Sequence, residues 1–373
     1  MRRLGELSLR MRLLMSFLLG LSLMLLAACG TQDSVKGSGH ENDSTTGGSA
    51  ATNGQIVFRR WLDETHAASF TMNPDGSHVS QLTHPPKGFL DDFPEWSPDG
   101  KRLAFLRDAI DGSGGSQIIV LNTDTGDEHQ VTRCTGQCTG DFDPAWAPDG
   151  HSLAFRHVIN TDTPSGEFAA IWIVGLDGSN PHQVTNVDPK PPSDTKFADW
   201  WPQFSPNGKT LAFDRIRLDT PSLDYEDERH AVFVQRIDTS GSPEDAHRLT
   251  PWSKNCGITP DWSPDGKLIL FRCGPWLEGP SNLYWVHPDG TGLHKIGHSR
   301  VGDRSYLGSG FSPSFSEGEG WITTSWDPGY GKEGNADVAR MLIEGGDVVH
   351  TTNLTKSALS ESAPDWGTHP PVH

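Results

Sequence analysis

A triplet of proline, one residue, then tryptophan or phenylalanine occurs six times along this chain. The copies are Pro94-Glu95-Trp96, Pro144-Ala145-Trp146, Pro202-Gln203-Phe204, Pro260-Asp261-Trp262, Pro313-Ser314-Phe315 and Pro364-Asp365-Trp366. Their aromatic positions recur at intervals of 50 to 58 residues. A period of that size marks a repeat architecture, in which one supersecondary unit cannot bury its apolar face alone and stacks on its neighbours. The triplet is therefore structural, and functional residues are to be sought between its copies.

The copy from Asp91 to Arg133 shows what one unit is. Phe93 to Ser97 is a short extended run, and Pro98-Asp99-Gly100-Lys101 is a hairpin turn. In that turn Asp tolerates the geometry and Gly supplies positive φ without steric cost. Arg102 to Arg107 and the Ile/Val-rich Gln117 to Asn122 are strands, Asp124-Thr125-Gly126 turns the chain, and Glu128 to Thr132 closes the unit. Four antiparallel strands make one blade of a β-propeller. The first unit begins at Gln55-Ile56-Val57-Phe58 without a triplet strand, whereas the last triplet has no strands after it. One missing strand and one spare strand complement each other. The expected fold is thus all-β: a six-bladed β-propeller of four-stranded antiparallel blades. Its ring is closed by the C-terminal strand joining the N-terminal blade, which leaves no free sheet edge. The expected boundaries are a leader at 1–28, a tether at 29–54, the propeller at 55–367 and a tail at 368–373.

The leader has a basic start (Arg2, Arg3, Arg10, Arg12) and an apolar run from Leu13 to Ala28, and it ends Leu26-Ala27-Ala28-Cys29. That is the layout of an export signal, short for a bilayer span. The Leu-Ala-Ala-Cys end resembles the bacterial lipobox. The resemblance implies cleavage before Cys29, lipidation of that cysteine and a membrane anchor facing outside the cytoplasm, on the inner or an outer membrane. A plain secretory signal or an uncleaved anchor is the alternative. Residues 30–53 are Ser, Thr, Gly, Asn and Asp with almost no apolar residue, the composition of a flexible tether.

The full chain carries a net charge of −18. Without the leader, 26 basic and 47 acidic residues remain, a net charge near −21. Such a balance argues against a nucleic-acid partner, for which a basic patch supplies most of the affinity. Beyond Cys29 there are four cysteines, which suits disulfides in an oxidising compartment. Cys134 and Cys138 lie four apart in one loop, and Cys256 and Cys273 flank the hairpin that turns at Pro264-Asp265-Gly266-Lys267. The expected pairs are Cys134–Cys138 and Cys256–Cys273, with a metal site as the alternative use.

The phrase Pro94-Glu95-Trp96-Ser97-Pro98-Asp99-Gly100-Lys101-Arg102-Leu103-Ala104-Phe105, followed by a strand and a closing Val131-Thr132, resembles the TolB-type, WD-like propeller repeat of bacterial envelope proteins. The resemblance runs from Gln55 to Trp366 and implies the propeller fold. TolB proteins carry an N-terminal α/β domain and partner a peptidoglycan-associated lipoprotein; here the leader and tether stand in that place. Similar propellers precede hydrolase domains in prolyl-oligopeptidase-like peptidases, for which no room is expected before His373.

Two features mark where a ligand would sit. The links between second and third strands and between units are long and share one face, and binding residues favour loops on a rigid scaffold. Three residues before the triplet proline stand Asp91, Asp141, Asp199 and Glu361 in four copies, with Gly257 and Gly310 in the other two. First strands are expected to line a central channel, so these carboxylates would ring its mouth. They would take calcium or a basic peptide there, or simply bond local backbone at the strand entry. Trp200, Trp201, Trp252 and Trp276 lie outside the triplets; they would stack on carbohydrate, grip a peptide or pack between blades. The chain contains no Gly-x-Ser-x-Gly elbow, no His-Glu-x-x-His and no phosphate-cradling loop. The expected function is a monomeric, cofactor-free binding module for an envelope protein, peptide or other ligand. The alternative is a propeller lyase or hydrolase acting on polysaccharide or peptide.

Overall fold

The computed structural model describes residues 54–63, 65–112, 115–160, 167–185, 187, 196–218, 229–237, 246–274, 281–301, 309–311, 315, 318–326, 336–357 and 359–368. Cys29, the leader and nearly all of the tether lie outside them. So do Trp276 and most of the long links named above. Among the described residues no helix is long and apolar enough to cross a membrane.

The described chain is built almost wholly of strands. β1 (Gln55–Asp63), β2 (His66–Met72) and β3 (Ser80–Gln81) lie side by side. The next group is β4 (Phe89–Trp96), β5 (Arg102–Ala109), β6 (Gln117–Asn122) and β7 (Glu128–Gln130). A third is β8 (Cys138–Trp146), β9 (Ser152–Asn160), β10 (Glu167–Gly175) and β11 (His182–Gln183). β12 (Lys196–Phe204), β13 (Thr210–Leu218), β14 (Arg229–Arg236) and β15 (His247–Arg248) follow. After them come β16 (Cys256–Trp262), β17 (Ile269–Cys273), β18 (Ser281–Val286) and β19 (His294–Val301). β20 (Ser309–Phe311), β21 (Gly320–Trp326), β22 (Asp337–Glu344) and β23 (Asp347–Asn353) form the last group. Within each group successive strands pair antiparallel. The last three groups are linked by single parallel pairs, Ala231 beside Cys256 and Gly297 beside Asp347. The final strand, β24 (Glu361–Gly367), pairs antiparallel with β1, Ile56 facing Trp366 and Arg60 facing Glu361.

Local chemistry explains the repeated hairpin. In Ser97-Pro98-Asp99-Gly100-Lys101, the Ser97 N–H donates to Arg102 O at 2.8 Å and the Gly100 N–H to Ser97 O at 2.8 Å. The Ser97 hydroxyl accepts from the Arg102 N–H at 2.9 Å, and Asp99 Oδ1 accepts from the Lys101 N–H at 3.1 Å. Gly100 sits at φ +65°, which a side chain would strain. The same bonds recur around Ser205 and Ser263.

A closing threonine ends five groups for a common reason. As the outer strand leaves the sheet, the hydroxyls of Thr83, Thr132, Thr185, Thr250 and Thr355 accept the third-strand N–H of Ser69, Ile118, Ile171, Val232 and Val338 at 2.9–3.0 Å. The remaining group ends Ile296-Gly297, and there Gly297 pairs with β23 instead.

The core lies between groups. Trp96 packs with Val57 of the preceding group, and Trp146 with Ala104, Ile118 and Val120. Phe204 lies with Ala154 and Ile171, Trp262 with Val232 and Val234, and Phe315 with Leu270 and Trp285. Trp366 lies with Val338 and Leu354 on one side and Ile56 and Phe58 on the other. Each triplet aromatic is thus a wedge against the group before it. Two of the indoles add a bond there: Trp146 Nε1–H donates to Glu95 O at 3.1 Å and Trp262 Nε1–H to Gln203 O at 3.2 Å. Both expected disulfides, Cys134–Cys138 and Cys256–Cys273, are present. The second joins facing residues of β16 and β17.

Candidate functional site

The first strands of the groups pack on one another in sequence: β4 on β8, β8 on β12, β12 on β16, β16 on β20, β20 on β24, and β24 on β4. Each described copy bends at the residue before the triplet proline. Phe93, Asp143, Trp201, Thr259 and Ala363 all have φ between +49° and +53°. Pairing slips there, for example between Asp92 and Glu95 and between Trp200 and Gln203. A residue before proline ordinarily stays extended, and positive φ is costly for bulky or β-branched side chains. Five copies accept that cost because the bulge re-aims the strand. The side chains so aimed meet across groups: Trp201, Ile258 and Ala363 form one buried cluster with Phe93 and Trp200 against it.

On the long-link side of the bulges stand the four acids picked out by sequence. Each faces a base on the adjacent strand, in register. Arg107 donates from Nε to Asp91 Oδ1 at 2.7 Å and from Nη2 to Oδ2 at 2.9 Å. Arg215 holds Asp199 the same way, at 2.7 and 2.8 Å. His157 Nδ1 lies 2.6 Å from Asp141 Oδ1, and Arg60 Nε donates to Glu361 Oε1 at 2.9 Å. Threonines of the preceding outer strand complete two of these sites, since Thr355 Oγ1 donates to Glu361 Oε2 at 3.1 Å and Thr83 bonds Asp91. Burial pushes Asp91 and Glu361 above their ordinary range, and their arginines pull them back part of the way. Burial opposes the charge on Arg107 and Arg215, yet Asp91, Glu128 and Asp199 raise both overall.

The acids therefore meet side chains of the neighbouring strand rather than turn backbone. Asp91 and Asp199 spend both oxygens on an arginine, so neither is arranged as a calcium ligand. The sequence signal for these partners was a spacing of 16 residues from acid to base, in Asp91 to Arg107, Asp141 to His157 and Asp199 to Arg215. Among the described residues one cluster has metal-ligand character, formed by Cys138, Asp141 and His157.

Beyond the bulges lies a second set of carboxylates from the middle position of the triplet. Asp365 Oδ2 accepts the Trp96 N–H at 2.8 Å, and Glu95 Oε1 the Trp146 N–H at 3.3 Å. Burial raises Asp365 to about 6. Burial, then the charges of Asp365 and Asp261, push Glu95 well above its usual value. Between the two sets Arg59 pairs with Asp92 and bonds Ser362, and Arg156 pairs with Asp143 at 2.7 Å.

The tryptophans divide. Trp201 is buried, and Trp200 lies edge-on to it at 5.3 Å beneath the Arg156 guanidinium, 4.3 Å from the ring centroid. Trp252 is half-buried and stacks at 6.1 Å on Phe197, which is 37% exposed on the long-link side. The guanidiniums of Arg215 and Arg248 lie 5.8 Å from the Phe197 ring and 5.7 Å from the Trp252 ring. Phe197 lies outside the triplets, as Trp252 does, and carried no sequence mark of its own.

Sheets of this strand order, wedged by the triplet aromatics and bulged at the same place, define a β-propeller of TolB-like fold. No family model matches the sequence. The solved TolB of Acinetobacter baumannii superposes with a TM-score of 0.58 at 16% identity, over 84% of this chain and 66% of its own. A putative TolB of Agrobacterium tumefaciens gives 0.50 at 21% identity, over 81% and 88%. Among curated relatives, an uncharacterized protein of Agrobacterium fabrum is 28% identical over 178 residues, 47% of this chain and 52% of that protein. An uncharacterized peptidase of Bacillus subtilis, YuxL, is 26% identical over 204 residues, 48% of this chain and 28% of its own. A TolB homolog of Chlorobium luteolum is 29% identical over 181 residues, 48% and 35%. The chain thus spans about half or less of the length of these curated relatives.

Proposed function

We propose that this chain is a closed six-bladed propeller of the bacterial envelope, held to a membrane by lipid on Cys29, and that it binds a protein segment without catalysing a reaction. The return of β24 to β1 and the contact of β20 with β24 support the closed ring. Likeness to TolB proteins supports the envelope setting. The observation that carries the binding role is the aromatic step of Phe197 on Trp252, flanked by Arg215 and Arg248, beside acids already neutralised by their own bases. A rigid aromatic and guanidinium surface of this kind suits recognition of a peptide. Carboxylates held by arginine are ill placed to shuttle protons.

Affinity capture from envelope membranes tests this reading. The wild-type domain should retain one defined protein, and Phe197→Ala should lose it while melting at the same temperature. Retention unchanged by Phe197→Ala and Trp252→Ala would refute it. The anchor is tested separately by metabolic labelling with a palmitate analogue, which Cys29→Ser should abolish.

One observation favours the enzymatic reading. Glu95 and Asp365 are neighbouring carboxyls raised toward neutrality, the state a general acid needs. Each, however, accepts a backbone N–H of the next group, a joining role. Turnover of polysaccharide or peptide that disappears in Glu95→Gln would decide for catalysis.

A further inference from the structure

One of the four acid–base pairs differs from the rest. Where three have arginine, the pair on β8 and β9 has His157, a base that can ligate a metal. It is also the pair beside a cysteine loop. Cys138 Sγ lies 3.8 Å from His157 Nδ1 and 4.0 Å from Asp141 Oδ1. Cys134 is bonded to Cys138, so its sulfur is in the same place. Two sulfurs, one imidazole nitrogen and one carboxylate oxygen make a complete donor set for zinc, whose tetrahedral shell places such donors about 3.5 Å apart. The site is braced. Asp141 N–H donates to Ser116 O at 2.9 Å, and the His157 ring lies 4.8 Å from that of Trp172.

We propose that reduction of Cys134–Cys138 converts this corner into a zinc site formed by Cys134, Cys138, Asp141 and His157. Both cysteines are half-buried and Thr135 to Gln137 between them are exposed, so a small reductant reaches the bond. An external dithiol supplies two electrons by thiol–disulfide exchange, leaving as a cyclic disulfide while the protein gains two thiols. The ion then binds both sulfurs as thiolates and releases two protons. The Asp141–His157 hydrogen bond opens, the imidazole proton resides on Nε2, and Nδ1 and one carboxylate oxygen complete the shell. Soft thiolates select zinc over calcium.

Cobalt(II) is the probe, because tetrahedral thiolate coordination gives visible d–d bands and a near-ultraviolet charge-transfer band. The folded domain is reduced anaerobically with a dithiol, freed of reagent and titrated, with Cys256→Ser/Cys273→Ser as the background that removes the other pair. One equivalent should give a tetrahedral spectrum that zinc bleaches, and the disulfide form should give none. Cys134→Ser should remove the two-thiolate band, and His157→Gln should weaken cobalt binding at least tenfold. Circular dichroism checks that each variant is folded. No tetrahedral spectrum in the reduced, folded background protein overturns the proposal. So does a spectrum and affinity unchanged in both His157→Gln and Asp141→Asn, which would make the metal a ligand of a bare dithiol.

Discussion

Asp91 is buried to completion, and only the Arg107 fork and a threonine keep its charge tolerable. Removing one partner of such a pair is costly because the other charge is stranded. Arg107→Ala should therefore lose about 3 kcal/mol in urea denaturation, and the double variant Asp91→Asn/Arg107→Met should recover most of that loss. At Asp365 burial outweighs the backbone N–H bonds that favour its charge. Its folded pKa, about 6, lies above the ordinary 3.8, so the folded state holds the proton more tightly than the unfolded one. Stability should rise as pH falls from 7.5 through 6 and level off near 4. Asp365→Asn should melt a few degrees higher at pH 7.5 and flatten that rise, read by calorimetry across the range. Asp91, Asp141, Asp199 and Glu361 were visible in sequence as a position relative to proline. Their partners left only a 16-residue spacing in three copies, because a facing residue is fixed by strand register and not by the local motif.

At the scale of the element, the hairpin and the closing threonine were legible because turn and cap chemistry is local. Ser97, Asp99 and Gly100 specify their own bonds within six residues. The bulge was not legible. Phe93-Pro94 reads as extended chain, whereas Phe93, Trp201 and Thr259 sit at positive φ where side chains of different first strands meet. The threonine hydroxyls carry a checkable load. Thr132→Val keeps the shape but leaves the Ile118 N–H buried without its acceptor. It should cost about 1–2 kcal/mol and speed exchange of the Ile118 amide hydrogen relative to that of Val120.

Across the whole molecule, the apolar clusters join each group to the next, and Trp366 joins the last group to the first. The pairing of β24 with β1 was legible through counting alone, since a unit lacking one strand and a strand lacking a unit complement each other. What counting could not reveal was Phe197 on Trp252, an aromatic contact set by the approach of β12 to the turn before Cys256. Trp366→Ala should remove about 3–5 kcal/mol. Native-state hydrogen exchange should then show β1 opening ahead of β9.

The bond from Arg60 to Glu361 spans 301 residues of chain. A ribosome delivers the first of these long before the second, so the first sheet lacks its β24 strand until Glu361 has been made. Any product cut short before Glu361 keeps that defect permanently.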